Sequence, residues 1–209
     1  MKAKILGVVA ALVLLSGANS IARADSIGIG AFGPTAVLTD LNNIGNCCGA
    51  AFATPLTVGI YTFTTDDGLL RYDAIGFNNT PSLSNNTDVG FINIAIAPGA
   101  NVIKFGFLVG HASEAQHHSE TVSFFDTSNV LLGNVGVSST GGLQFVGWEN
   151  IAGFIGRVLV TDTDLNSSVV TVDNLVVEQT PLPAALPLFV TGLGALGLLG
   201  WRRKRKQSA

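Results

Sequence analysis

Alternation of apolar and polar residues is the feature that most restricts how this chain can fold. It is clearest in the segment 91–109, where apolar side chains take every second position on either side of a Pro-Gly turn. The apolar members of this pattern are Ile92, Ile94, Ile96, Ile103, Phe105, Phe107 and Val109. A period of two residues predicts strands with one buried face, because successive side chains of a strand point to opposite sides of the sheet.

Ten short runs rich in β-branched and aromatic residues extend this pattern through most of the chain. The predicted strands are 27–32, 58–64, 70–75, 91–96, 102–109, 121–125, 130–137, 143–148, 155–161 and 169–177. Clusters of Gly, Pro, Asn, Asp and Ser separate them, as turns require. The sequence therefore predicts an all-β fold, an antiparallel two-sheet sandwich of jelly-roll type, formed by one domain over residues 25–179.

Residues 1–24 have the features of a secretory signal peptide. Lys2 and Lys4 give a positive start, the stretch 5–15 is uncharged and apolar, and Ala22 and Ala24 frame an A-x-A cleavage site. We expect the mature chain to begin at Asp25 and to be exported through the inner membrane.

Residues 180–209 have the features of a membrane-sorting tail. The uncharged stretch 182–201 would be about 30 Å long as a helix, which matches the hydrocarbon core of a bilayer. A basic cluster follows it directly, made of Arg202, Arg203, Lys204, Arg205 and Lys206. Because basic flanks stay in the cytoplasm, the sequence predicts a transmembrane helix with residues 25–179 outside.

The order of proline motif, apolar span and basic end resembles the PEP-CTERM sorting signal of exported bacterial proteins. Its motif, Pro181, Leu182, Pro183 and Ala184, is similar to the Val-Pro-Leu-Pro-Ala variant, with Thr180 in place of the valine. The resemblance implies recognition by an exosortase, a membrane cysteine transpeptidase that cuts near the motif. It also implies delivery to the cell surface and a link to exopolysaccharide. A plain C-terminal membrane anchor is the alternative.

The charge of the exported part differs from that of the whole chain. All 14 acidic residues lie within 25–178, where Arg71, Lys104 and Arg157 are the basic residues, so this part carries a net charge of −11. A phosphate backbone requires a basic face, so nucleic acid is excluded as a partner. Divalent cations, or neutral and hydroxyl-rich partners, are favoured.

Oxygen-bearing side chains at alternate positions predict a calcium loop formed by Asp162, Asp164 and Asn166. An Asx-rich hairpin turn is the alternative interpretation of these residues.

A second calcium prediction comes from a resemblance to jelly-roll domains that precede this sorting tail. The matching segments are 122–126, 145–148, 156–158 and 172–175. Similar strands occur in some carbohydrate-binding modules, where an Asp near the end of the last strand helps to hold a structural calcium. The resemblance gives Asp173 that role, and a capping Asp is the alternative.

Trp148 is the one Trp of residues 25–179 and a candidate for stacking on a sugar ring, with core packing as the alternative. The three histidines fall within 111–118, close to Glu114 and Glu120. A zinc-like metal site is one interpretation of this segment, and a solvated loop is the alternative. Cys47 and Cys48 are adjacent, so they cannot link distant parts of the fold.

No nucleophile motif or phosphate-binding loop occurs in the sequence. We therefore expect a non-catalytic protein associated with the cell surface or matrix. The alternative function is a carbohydrate-binding jelly-roll module with a structural calcium. A hydrolase is the third hypothesis, and a glycosidase of this type would need two facing carboxylates.

Overall fold

A computed structural model of the chain describes residues 24–42, 44–45, 50–73, 81–86, 90–111, 118–139, 142–163 and 169–180. These residues form strands and one short 3₁₀ turn, Ile29–Ala31. The strands are β1 Ala24–Ile27, β2 Val37–Thr39, β3 Ala50–Ala53, β4 Leu56–Val58, β5 Tyr61–Thr65, β6 Leu69–Asp73, β7 Ser82–Asn85, β8 Phe91–Ile96, β9 Val102–His111, β10 His118–Asp126, β11 Leu131–Ser139, β12 Gln144–Asn150, β13 Ile155–Asp162 and β14 Val170–Gln179.

The strands make two antiparallel sheets, which confirms the predicted two-sheet sandwich. An eight-stranded sheet has the order β1-β12-β9-β14-β7-β6-β3, with β2 paired to β14 as well. A six-stranded sheet has the order β11-β10-β13-β8-β5-β4. In both sheets neighbours in space are often distant in sequence, as in jelly-roll and Greek-key folds.

The hydrophobic core lies between the sheets and includes the predicted inner faces. Ile92 and Ile94 of β8, and Phe105 and Phe107 of β9, are fully buried, as the alternation predicts. Ile103 is only partly buried, whereas Val102 is fully buried. The reason is a shift in the pairing of β9 with β14, which adds one residue to β9 and reverses the alternation before Lys104.

The prediction of one strand over 27–32 is wrong. β1 ends at Ile27, and the chain then forms the 3₁₀ turn, in which the Ala31 N–H donates to the Gly28 carbonyl at 3.0 Å. Gly28 precedes this turn, and Gly30 lies within it.

The predicted strand over 58–64 is in fact a hairpin. Gly59 has φ +60° and separates β4 from β5, a conformation that glycine adopts readily. The sequence also missed β2, β3 and β7. These strands have three or four residues, and Ser82–Asn85 has little of the apolar character that marks a strand.

No helix in the described parts of the chain has the length and hydropathy that a membrane crossing requires. Apart from Ala24 and Thr180, the predicted signal peptide and sorting tail lie outside the described residues, as do Cys47 and Cys48.

Candidate functional site

The outer face of the six-stranded sheet carries hydroxyl, amide and aromatic side chains around one cation. Strand register assigns its outward positions, because their neighbours Val122, Phe124, Val158 and Ile94 point into the core. The outward side chains include Thr57, Thr62, Thr64, Phe91, Asn93, Ala95, Ser119, Thr121, Ser123, Phe125, Leu131, Asn134, Ser138, Arg157, Leu159 and Thr161. These described strand positions include no carboxylate. We call this surface the outer face.

Arg157 lies on β13 near one end of the outer face, and neighbouring side chains fix its guanidinium. Its cross-strand neighbour Phe125 lies beneath it, with the guanidinium carbon 3.6 Å from the ring centroid. Its Nε donates to Asn129 Oδ1 at 2.7 Å, and its Nη1 donates to Asn93 Oδ1 at 3.2 Å. Asn93 in turn donates from Nδ2 to Thr64 Oγ1 at 3.0 Å. Burial lowers the pKa of Arg157, although the group remains a cation at neutral pH.

The turn between β10 and β11 positions Asn129 for this contact. Asp126 Oδ1 accepts the N–H groups of Ser128 and Val130, both at 2.8 Å. Asn129 adopts φ +64°, a left-handed conformation that Asn tolerates better than most residues. On β13, a Cβ at Gly156 would lie 2.7 Å from the Thr127 Cα, so glycine allows the turn to pack against the strand.

A groove of about 280 Å³ opens beside Arg157. It runs from Ala95 and Arg157 to the turn 97–101, and Asn129 and Asp126 form its other wall. Its volume is near the lower end for small-molecule sites, about 300 Å³. Arg157 and Asp126 are the titratable side chains that line it among the described residues.

A second groove, of about 670 Å³, lies on the other side of the turn 97–101. Thr35, Ile60, Gln179 and Thr180 complete its lining, which contains no titratable side chain among the residues described. The Thr180 N–H donates to the Asn101 carbonyl at 3.1 Å, so the chain leaves the sandwich at this groove.

The predicted calcium ligands are spread over the fold. Asp162 ends β13 in the six-stranded sheet and Asp173 lies on β14 in the eight-stranded sheet. Both are buried, and Asp173 Oδ1 accepts the N–H of Asn174 at 2.8 Å. Asp164 and Asn166 lie outside the described residues. Within the described ranges, no three His, Cys, Asp or Glu side chains are grouped as a metal site would require.

Sequence analysis missed an acidic neighbourhood at the end of the sandwich where Asp162 lies. Glu120 is directly opposite Asp162 across β10 and β13, and both side chains are buried. Just before β8, a Cβ at Gly90 would lie 2.5 Å from Asp66 Oδ1 and 2.7 Å from Asn85 Nδ2. Glu120 is separated from these residues in sequence, so only strand pairing reveals that they are neighbours.

Trp148 packs in the core, which confirms the alternative interpretation of this residue. Its exposed fraction is 7%, and its ring stacks on Phe124 with centroids 5.2 Å apart and an interplanar angle of 18°. The proposed sugar-stacking role of Trp148 is therefore corrected, because neither face of the ring is open to a ligand. Phe91 and Phe125 are the aromatic side chains on the outer face.

The eight-stranded sheet has its own charged cluster around Lys104. Lys104 Nζ lies 3.2 Å from Glu178 Oε2 and 3.6 Å from Glu149 Oε1. Glu178 Oε2 also accepts the Gly33 N–H at 3.0 Å. The Gly33 N–H and the Lys104 cation lower the pKa of Glu178. This cluster fastens the segment after β1 to β9, β12 and β14.

The sandwich is similar to several solved domains of low sequence identity. The adhesin domain of Lys-gingipain from Porphyromonas gingivalis is 10% identical, with a TM-score of 0.43 over 70% of this chain and 99% of that domain. A DUF4465 family protein from Bacteroides caccae is 9% identical, with a TM-score of 0.47 over 69% and 99%. A family 29 carbohydrate-binding module from Piromyces equi is 10% identical, with a TM-score of 0.41 over 68% and 90%.

No protein-family model matches the chain, and no curated protein matches it.

Proposed function

We propose that residues 25–179 form a non-catalytic glycan-binding module, which acts at the cell surface and binds polysaccharide on the outer face. The observation that carries the proposal is the fixed guanidinium of Arg157, which rests on Phe125 beside an open groove. Glycan sites depend on rigidly placed polar groups that fix the sugar, and the outer face supplies such groups around Arg157.

The polar side chains of the outer face support this assignment. Asn93, Thr64 and Arg157 form a connected hydrogen-bond chain across β5, β8 and β13. Thr57 and Thr62 form a separate pair nearer the sheet edge, with their hydroxyl oxygens 3.3 Å apart. Neutral hydroxyl and amide groups suit the hydroxyl-rich surface of a sugar chain, and they allow binding without a large desolvation cost.

The experiment measures binding of the full chain, purified in a detergent without a sugar headgroup, to a panel of soluble polysaccharides by affinity gel electrophoresis. We expect at least one polysaccharide to retard the protein. We expect Asn93→Ala to weaken that binding about tenfold, which corresponds to about 1.4 kcal/mol, because it removes the centre of the polar chain.

Leu38→Ala is the matched control, since Leu38 lies on β2 in the other sheet and is 61% exposed. It should bind like the wild-type protein. If no polysaccharide retards the wild-type chain, the proposed function is wrong.

We further propose that the tail after Thr180 sorts this module as a PEP-CTERM-type signal, read by an exosortase-type transpeptidase. The support is the sequence motif 181–184, the apolar stretch 182–201 and the basic cluster 202–206. In the described part of the chain, the last strand, β14, ends at Gln179 and the last backbone contact is made by Thr180.

Fractionation of cells tests the tail. An internally tagged full chain should partition with the membrane or the cell surface, whereas a chain stopped after Thr180 should be released in soluble form. The stop is placed after Thr180 so that its hydrogen bond with Asn101 is kept. Identical partitioning of the two chains would contradict the sorting role.

A further inference from the structure

We infer that the groove beside Arg157 binds the carboxylate of an acidic sugar, so that the polysaccharide recognised by the outer face contains uronic acid residues. This inference rests on the proposed glycan-binding function and specifies the class of glycan.

Arg157 lines the groove, and its guanidinium has more donors than the two hydrogen bonds that it makes with described residues. Of its five N–H donors, Nε–H is directed to Asn129 and one Nη1–H to Asn93. Among the described residues, no acceptor is within hydrogen-bonding distance of the other donors. An Nη1–H and an Nη2–H form one edge of the planar group, and that edge matches the two oxygens of a carboxylate.

The charge of Arg157 also lacks a counterpart within the described part of the chain. Lys104, by comparison, has two carboxylates within 4 Å, those of Glu149 and Glu178. The partners of Arg157 are two neutral amides and an aromatic ring. A half-buried guanidinium without a carboxylate is a favourable place for a ligand anion, since the pair forms without displacing a protein partner.

Asp126 does not take that position, although it lines the same groove. Its Oδ1 accepts two backbone N–H groups of its own turn, and no ion pair with Arg157 is present among the described contacts. The Asp126 carboxylate therefore stabilises the turn that holds Asn129.

Preorganisation makes this recognition efficient. Phe125 stacks under the guanidinium, and Asn93 and Asn129 hold two of its sides before any ligand arrives. An arginine that is already immobilised loses little side-chain entropy on binding. The net charge of −11 on residues 25–179 opposes a polyanion at long range, but at physiological ionic strength charges are screened beyond about 8 Å.

The test compares one polymer in two forms: polygalacturonate, and the same polymer after its carboxyl groups are reduced to primary alcohols. Binding of the full chain to each is measured at 0.15 M salt. We expect polygalacturonate to bind at least tenfold more tightly than the reduced polymer. Arg157→Gln should abolish the difference, because it weakens binding to the acidic polymer only. Arg157→Lys should keep part of the difference, since lysine supplies a point charge.

The outcomes separate the two proposals. Equal binding of the two forms to the wild-type chain would overturn the carboxylate inference and leave glycan binding in place. Binding to neutral polysaccharides but to no uronic acid polymer would overturn the carboxylate inference alone, and binding to no polysaccharide would overturn both. The wild-type comparison needs no variant, so the inference stays testable if an Arg157 variant fails to fold. Leu38→Ala again serves as the control on the other sheet.

Discussion

The hydroxyl of Tyr72 makes the clearest single polar contact inside the core. It donates to the Leu41 carbonyl at 2.8 Å, and both residues are fully buried. The ring of Tyr72 also contacts Phe52, with centroids 6.0 Å apart. The contact joins the loop after β2 to β6, although 31 positions separate the two residues.

We expect Tyr72→Phe to lower the free energy of unfolding by about 1–2 kcal/mol, because it leaves a buried carbonyl without its donor while keeping the ring. Urea unfolding followed by circular dichroism measures this change. Thr57→Val is the control, since it removes an exposed hydroxyl contact and should change stability by less than about 0.5 kcal/mol. Equal effects of the two substitutions would contradict the assignment.

Two glycines of β11 differ sharply in the space around them. A Cβ at Gly133 would lie 2.6 Å from Trp148 Cζ2, whereas a Cβ at Gly136 would meet no atom within 4 Å. We expect Gly133→Ala to destabilise the fold by about 1–3 kcal/mol through overpacking, and Gly136→Ala to be nearly neutral. Thermal or urea unfolding measures the stability of the two variants. If Gly133→Ala leaves stability unchanged, Trp148 can move aside and the overpacking prediction is wrong.

At the level of strands, the Lys104 cluster joins β9 and β14 to the segment that follows β1. The Gly33 N–H and Lys104 lower the pKa of Glu178 from its ordinary value of 4.5. A group whose pKa is lower in the folded state binds its proton more readily in the unfolded state. Its stabilising contribution is therefore present above about pH 4.5 and is lost as the pH falls through the folded-state pKa.

We expect Glu178→Gln to reduce stability at pH 7 and to make the fall in stability below pH 4.5 less steep. Stability curves measured from pH 7 to pH 3 test this. Glu149→Gln is the control, because it removes the longer contact to Lys104 and keeps the Gly33 hydrogen bond. A wild-type curve and a Glu178→Gln curve of the same shape would contradict the role given to Glu178.

The sequence predicted elements well where alternation is strong and poorly where it is weak. Phe91–Ile96 has the bounds that its isoleucines indicate. Ser82–Asn85 is a central strand of mostly polar residues, so only its pairing with β6 and β14 makes it a strand. The candidate site was missed for a related reason. Arg157, Asn93 and Asn129 are far apart in sequence, and pairing of β13 with β8 and β10 brings them together.

At the scale of the molecule, the excess of acidic residues leads to a prediction about cations. Glu120 and Asp162 are buried and directly opposite each other across β10 and β13. If a calcium ion binds at this end, as Asp162, Asp164 and Asn166 suggest, the melting temperature should be higher with calcium than with a chelator.

Asp162→Asn should reduce the calcium-dependent increase, and magnesium in place of calcium is the control for a general ionic effect. A melting temperature that is the same in calcium and in chelator would rule out a structural calcium ion. This measurement is independent of glycan binding, because the outer face and the acidic end use different residues.

The position of β14 determines how the sandwich would respond to force. β14 is bonded to β9 along one side and to β7 and β2 along the other. Any load transmitted through the chain beyond Thr180 pulls along β14, at right angles to its hydrogen bonds, so many bonds would have to shear together. An edge strand such as β4 has one neighbour, so the same load along it would shear one row of hydrogen bonds instead of two. If residues 180–209 anchor the chain and the outer face binds a glycan, as proposed, the central position of β14 suits a module that must hold its ligand against flow.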